Sequence, residues 1–111
     1  MLVNGKWEGP IVDQHMHLDR ENRFISAAQE FSRSGGTGIF LVHKPSFSKS
    51  LPTDLDGYRT VYRNTIEMAQ IVRKKTELEV NVVLGPHPVV WVLQANEIGL
   101  KESSELHISA V

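Results

Sequence analysis

Short apolar stretches alternate along this chain with longer segments whose apolar residues recur every three or four positions. Brief apolar runs bounded by turn residues are typical of strands, and three are predicted, at residues 10–15, 37–43 and 78–84. Recurrence at helical spacing predicts amphipathic helices at residues 24–34 and 57–75. Two further helical candidates, Val90–Glu97 and Leu100–Leu106, are separated by Gly99, which can break or cap a helix.

The order of these elements indicates the fold class. Strands that alternate with helices are joined by crossovers and lie parallel in one sheet, so we expect an α/β fold. Residues 44–54 are rich in proline and serine and predict a long loop after the second strand. We find no linker that separates a second domain, so residues 1–111 are interpreted as a single unit.

Composition restricts the chemistry more than the function. The chain has 111 residues and a formal net charge of -1, so overall charge gives no argument for nucleic-acid binding. It contains no cysteine, which leaves histidine and carboxylate as the strong metal ligands. The N-terminal residues lack the layout of a secretory signal, and no apolar run approaches the roughly 20 residues that cross a bilayer. We therefore expect a cytoplasmic protein with no membrane association.

The first strand ends in a cluster of polar side chains, in the stretch GPIVDQHMHLD. On an extended segment Asp13, His15 and His17 project to the same side. Two neutral imidazoles two residues apart can ligate one divalent ion, and Asp13 can orient a ligand or join the site. The alternative is a pair of surface histidines beside a turn.

The other two strands also end in histidine. His43 is followed by Lys44, which together offer a hydrogen-bond donor and a cation to an anionic substrate, although a solvated strand end explains them almost as well. His87 lies between two prolines, in a stiff loop that either aims the ring at a substrate or simply closes the strand. The C-terminal ends of parallel strands share one edge, so these histidines are expected to meet.

Two other mechanisms lack support. The glycine cluster Gly35-Gly36-Thr37-Gly38 has no lysine and precedes a strand, so it is a turn and not a phosphate-binding loop. No serine stands in a G-x-S-x-G elbow, which argues against a serine hydrolase.

Two motifs resemble a known family. The stretch from Val12 to Leu18 is similar to the first-strand D-x-H-x-H-L motif of TatD-related deoxyribonucleases, which belong to the amidohydrolase superfamily of metal-dependent hydrolases. Residues 85–88, Gly-Pro-His-Pro, resemble the G-x-H-P motif at the third strand of that family. The first motif occurs in other metal-dependent hydrolases as well, whereas the two together are more selective. The similarity covers roughly residues 10–90.

The resemblance implies a TIM (β/α)8 barrel that carries one or two divalent metal ions, such as Zn, Mn, Mg or Ni. It implies that metal-activated water attacks a phosphodiester of DNA, or a related ester or amide bond of a small substrate. By the same resemblance, His15 and His17 are metal ligands and His87 is a catalytic residue near the substrate.

This chain departs from the family pattern after the third strand. The family's ligands at the fourth, fifth, sixth and eighth strands are missing. The segment around Glu97 resembles the fourth-strand motif, but it follows His87 too closely for a crossover and is interpreted as a helix break.

Length leads to the same expectation, because a complete barrel takes about 250 residues. We expect a truncated domain equivalent to the first three or so barrel units, inactive alone, that forms a homo-oligomer or needs a complementing C-terminal segment. The alternative is a non-catalytic remnant or self-associating α/β module with a weak two-histidine metal site.

Overall fold

The computed structural model describes residues 2–19, 24–45 and 51–111, so part of the predicted loop at residues 44–54 lies outside the described residues. The helices and strands follow the predicted order, with one addition at the N-terminus. In chain order they are β1 (Leu2–Val3), β2 (Lys6–Trp7), β3 (Val12–Met16), α1 (Phe24–Arg33), β4 (Gly38–Val42), α2 (Leu55–Lys75), β5 (Glu79–Val83), α3 (Pro88–Ile98) and α4 (Leu100–Ala110).

A three-stranded parallel sheet forms the centre of the fold, in the order β3-β4-β5. Strands β4 and β5 pair in unbroken register from Gly38 opposite Glu79 to Val42 opposite Val83. Strands β3 and β4 are also parallel, with a register irregularity after Asp13. The predicted α/β class is therefore confirmed, and the three strands finish at one common edge of the sheet.

The main core lies on one face of this sheet. Ile39 and Leu41 of β4 are fully buried and pack against Ala28 of α1 and against Ala69 and Val72 of α2. Both helices therefore cover the same face. The opposite face is less protected, since it leaves three large apolar side chains at least one-third exposed: Val12, Phe40 and Val83.

The N-terminal hairpin was not predicted. Strands β1 and β2 pair antiparallel around Asn4 and Gly5, which both adopt positive φ, 51° and 76°. Consecutive positive φ angles define the tight turn that Asn-Gly favours in two-residue hairpins. The sequence signal was present as Asn-Gly, but two-residue strands are too short to show a periodic pattern.

Helices α3 and α4 confirm both helical candidates of the tail. They are separated at Gly99, whose φ of 91° suits glycine and interrupts the helix. Glu97 lies in the last turn of α3, so it belongs to a helix and not to a fourth strand. A second apolar cluster joins these helices to α2 through Tyr58, Val90 and Ala110. No helix within the described ranges has the length and apolar character to cross a membrane.

Candidate metal centre

His15 and His17 come together where β3 ends. Their Nε2 atoms lie 3.1 Å apart, and the two rings meet edge to face with centroids separated by 4.8 Å. Both residues are exposed, so the two nitrogens are accessible to a ligand from solvent. The structure therefore brings together the two residues that the sequence predicts to be metal ligands.

The orientation of the His17 ring is fixed from the neighbouring strand. Its Nδ1 lies 2.9 Å from the carbonyl oxygen of Val42, the last residue of β4. A carbonyl only accepts hydrogen bonds, so Nδ1 must carry the proton and donate. In the neutral ring the lone pair is then on Nε2, the atom that faces His15. Metal-binding histidines commonly have their other ring nitrogen held in this way.

The spacing of the two nitrogens suits one shared ion. Ligands at about 2.1 Å from a metal, at roughly tetrahedral or octahedral angles, are separated by about 3.0–3.4 Å. The observed 3.1 Å falls in this range. Imidazole nitrogens favour Zn and Ni over Mg, which prefers oxygen ligands. In the part of the chain that the structure describes, no group of three or more His, Asp or Glu side chains is arranged to hold a metal.

Asp13 supports the pair through the backbone. Its Oδ1 accepts a hydrogen bond of 2.9 Å from the backbone N–H of His15. The pairing of β3 with β4 shifts between Asp13 and Met16, so the strand does not keep the regular register on which the predicted alternation depends. Among the described residues Asp13 therefore orients the segment that carries His15, and the prediction that it also joins a metal cluster finds no support in the geometry.

His87 lies in the same cleft as the histidine pair. This cleft has a volume of about 270 Å³ and is lined by residues at the ends of all three strands: His15, His17, Val42, His43, Val83, Leu84, Gly85, Pro86, His87 and Pro88. His87 is the N-cap of α3, and its Nδ1 accepts a hydrogen bond of 3.1 Å from the backbone N–H of Val89. In the neutral ring Nε2 then carries the proton and can donate it.

His43 differs from the prediction that it offers a donor to an anionic substrate. The residue is only 7% exposed, and its Nδ1 lies 2.9 Å from the hydroxyl oxygen of Thr65 in α2. That hydroxyl donates to the carbonyl of Val61, so it accepts from His43. The donor of His43 is thus already used. Burial, reinforced by nearby His17 and His87, lowers the pKa of His43. Lys44, the next residue, is exposed.

Tyr62 connects His43 to the second apolar cluster. The two rings meet edge to face at a centroid distance of 5.1 Å. The phenol donates a hydrogen bond of 2.8 Å to the carbonyl of Ala110 at the end of α4. Burial, with the neighbouring Tyr58, raises the pKa of Tyr62 to about 12, so the phenol keeps its proton at neutral pH. Thr65 and Tyr62 were not identified as site residues from sequence, where they appear only in the apolar stripe of a helix.

Comparison with known proteins adds one distant relative. No family model matches the chain, and no solved structure matches it. A curated sequence, the uncharacterized protein MJ1127 of Methanocaldococcus jannaschii, is 22% identical over 104 residues. That alignment covers 92% of this chain and 35% of the archaeal protein, so the chain spans about a third of the length of this relative.

Proposed function

We propose that this chain supplies the first β/α units of a metal-dependent hydrolase of the TatD type, which acts on phosphoester bonds, DNA included, or on related ester or amide bonds. One observation carries the proposal most directly. The Nε2 atoms of His15 and His17 are 3.1 Å apart at the C-terminal edge of a parallel sheet, where α/β enzymes place their catalytic groups.

Each histidine of the cleft has a distinct role in this proposal. His15 and His17 hold the ion, with the His17 ring oriented by the Val42 carbonyl. A divalent ion bound there lowers the pKa of water and stabilises the negative charge that develops during hydrolysis. His87 presents its Nε2–H to an oxygen of the substrate, because its Nδ1 is occupied by the N–H of Val89.

The barrel architecture belongs to this proposal too. Parallel sheets are normally covered on both faces, yet Val12, Phe40 and Val83 leave one face of this sheet partly exposed. A catalytic zinc centre has three protein ligands, and the described residues bring together two. Further β/α units, from a longer protein or a complementing segment, would cover the apolar face and add the remaining ligands.

A second candidate function uses the same exposed face. A self-associating α/β module would bury Val12, Phe40 and Val83 against a second copy and keep only a weak two-histidine site. This module would form a stable oligomer without metal, and it would hydrolyse nothing. Sedimentation in the presence of a chelator measures that property directly.

A chimera tests the hydrolase proposal. The chain replaces the matched segment of the M. jannaschii protein, so that the unmatched part of that protein supplies the missing units. We expect hydrolysis of p-nitrophenyl phosphate or bis(p-nitrophenyl) phosphate that requires Zn, Mn or Ni and is abolished by His15→Ala. His107→Ala, a histidine change on α4 outside the cleft lining, is the matched control and should retain turnover.

Two outcomes would count against the hydrolase. A folded, metal-loaded chimera that cleaves neither ester would contradict the proposal. So would turnover that is equal in the wild-type chimera and in His15→Ala. Co-expression of the chain with the unmatched part of the archaeal protein provides a second arrangement if the fusion does not fold, with the same assay and the same variants.

A further inference from the structure

His43 is held in one tautomer by a chain of hydrogen bonds that the hydrolase proposal does not use. The hydroxyl of Thr65 donates to the carbonyl of Val61 at 3.3 Å and therefore accepts from Nδ1 of His43 at 2.9 Å. The ring also packs edge to face against Tyr62. These contacts fix both the position of the imidazole and the location of its proton.

The opposite nitrogen of His43 is a hydrogen-bond acceptor. With the proton on Nδ1, the Nε2 of the neutral ring has a lone pair and no hydrogen. His43 lines the cleft beside His15, His17 and His87, and its Nε2 makes no hydrogen bond to the described residues. Since 7% of the residue is exposed, a ligand in the cleft is the partner that this acceptor lacks.

We propose that the cleft selects a phosphate group that has a P–OH, and that His43 accepts the hydrogen bond from that hydroxyl at Nε2. The inference rests on the hydrolase proposal, in which the ion at His15 and His17 attracts the charged oxygens. His87 contributes a donor to another oxygen through its Nε2–H. Within phosphoesters this favours a phosphomonoester, or free phosphate, over an internal phosphodiester, which has no P–OH.

Sulfate is the informative comparison, because it has the shape of phosphate but has no hydrogen at neutral pH. The lone pair of His43 Nε2 would then face a sulfate oxygen, and both atoms would be left without a partner. Protonation of His43 would relieve this conflict, but burial and the neighbouring His17 and His87 lower the pKa of the ring and oppose it. Phosphate should therefore bind about tenfold or more tightly than sulfate.

Calorimetry on the nickel-loaded full chain tests the proposal without requiring turnover. Inorganic phosphate, phenyl phosphate and sulfate are titrated separately, and the first two distinguish free phosphate from a monoester as the ligand. We expect both phosphates to bind more tightly than sulfate in the wild type. His43→Phe should bring phosphate and sulfate to similar affinities, whereas His43→Gln, whose amide oxygen can accept, should keep part of the preference.

Thr65→Val gives a second variant that removes the fixed tautomer and leaves the imidazole in place. The preference for phosphate should fall while nickel binding is retained, a result that a purely structural role of Thr65 would not produce. Equal affinities for phosphate and sulfate in the wild type, with both lost in His15→Ala, would overturn the role of His43 and leave the ion site standing. Absence of nickel binding, or of any anion binding to the nickel-loaded chain, would overturn both proposals.

Discussion

The Nε2 atoms of His15 and His17 lie 3.1 Å apart on either side of the residue at which β3 ends. Side chains two residues apart on a regular strand point to the same face, but their tips converge only when something orients the rings. Here the carbonyl of Val42 orients His17, and the carboxylate of Asp13 holds the backbone N–H of His15. The pair is thus positioned by contacts to β3 and β4, which are the rigid elements of the fold.

Asp13→Ala should weaken zinc binding by about tenfold, in the range measured when residues that orient metal ligands are removed. Asp13 accepts the N–H of His15, and alanine leaves that segment without its hydrogen bond. Asp13→Asn retains a side-chain oxygen that can accept and should bind zinc almost as tightly as the wild type. Competition with a chromogenic chelator measures both affinities. Equal affinities for the wild type and for Asp13→Ala would show that the contact does not support the site.

The sequence predicted the sheet and the convergence of histidines at its edge, but not the contacts that orient them. Apolar runs and helical spacing placed β3, β4 and β5, and parallel pairing brought their ends together. The contact of His17 with the Val42 carbonyl spans 25 positions, and the contact of His43 with Thr65 spans 22. Such pairs depend on the register and packing of separate elements, which local patterns do not contain.

His43 also shows why residue type alone gave an incorrect role. Its position at a strand end suggested a donor available to substrate, whereas the structure buries the ring and uses its donor on Thr65. The helical stripe of α2 was correctly expected to face the core. Which of its members would contact a histidine depends on how α2 crosses the sheet, and that geometry follows from the packed core as a whole.

The stability of the metal-free chain should fall as the pH decreases below about 6.5. Burial lowers the pKa of His43 in the folded protein, so the unfolded chain takes up this proton first. The stability associated with neutral His43 is fully present above the unfolded pKa of 6.5 and is lost as the pH falls toward the folded pKa. Urea denaturation across this interval should show a smaller decrease for His43→Gln. An identical decrease in wild type and variant would refute this assignment.

Leu41→Ala should destabilise the fold by about 2–5 kcal/mol, because it opens a cavity between the sheet and the covering helices. Leu41 is fully buried in β4, within the core cluster that contains Ala28 and Val72. Ile108→Ala is the matched control, since Ile108 is 74% exposed on α4 and should change stability by about 0.5 kcal/mol or less. Thermal and urea denaturation of the metal-free proteins measure the difference. Similar losses in the two variants would place the core elsewhere.

Zinc titration of the metal-free chain, followed by calorimetry, tests the central claim most directly. We predict one ion per chain, with the affinity reduced about 100-fold or more by either His15→Ala or His17→Ala, because each removes one of two converging ligands. His107→Ala changes a histidine outside the cleft lining and should bind zinc like the wild type. Unchanged zinc affinity in both His15→Ala and His17→Ala would contradict the account.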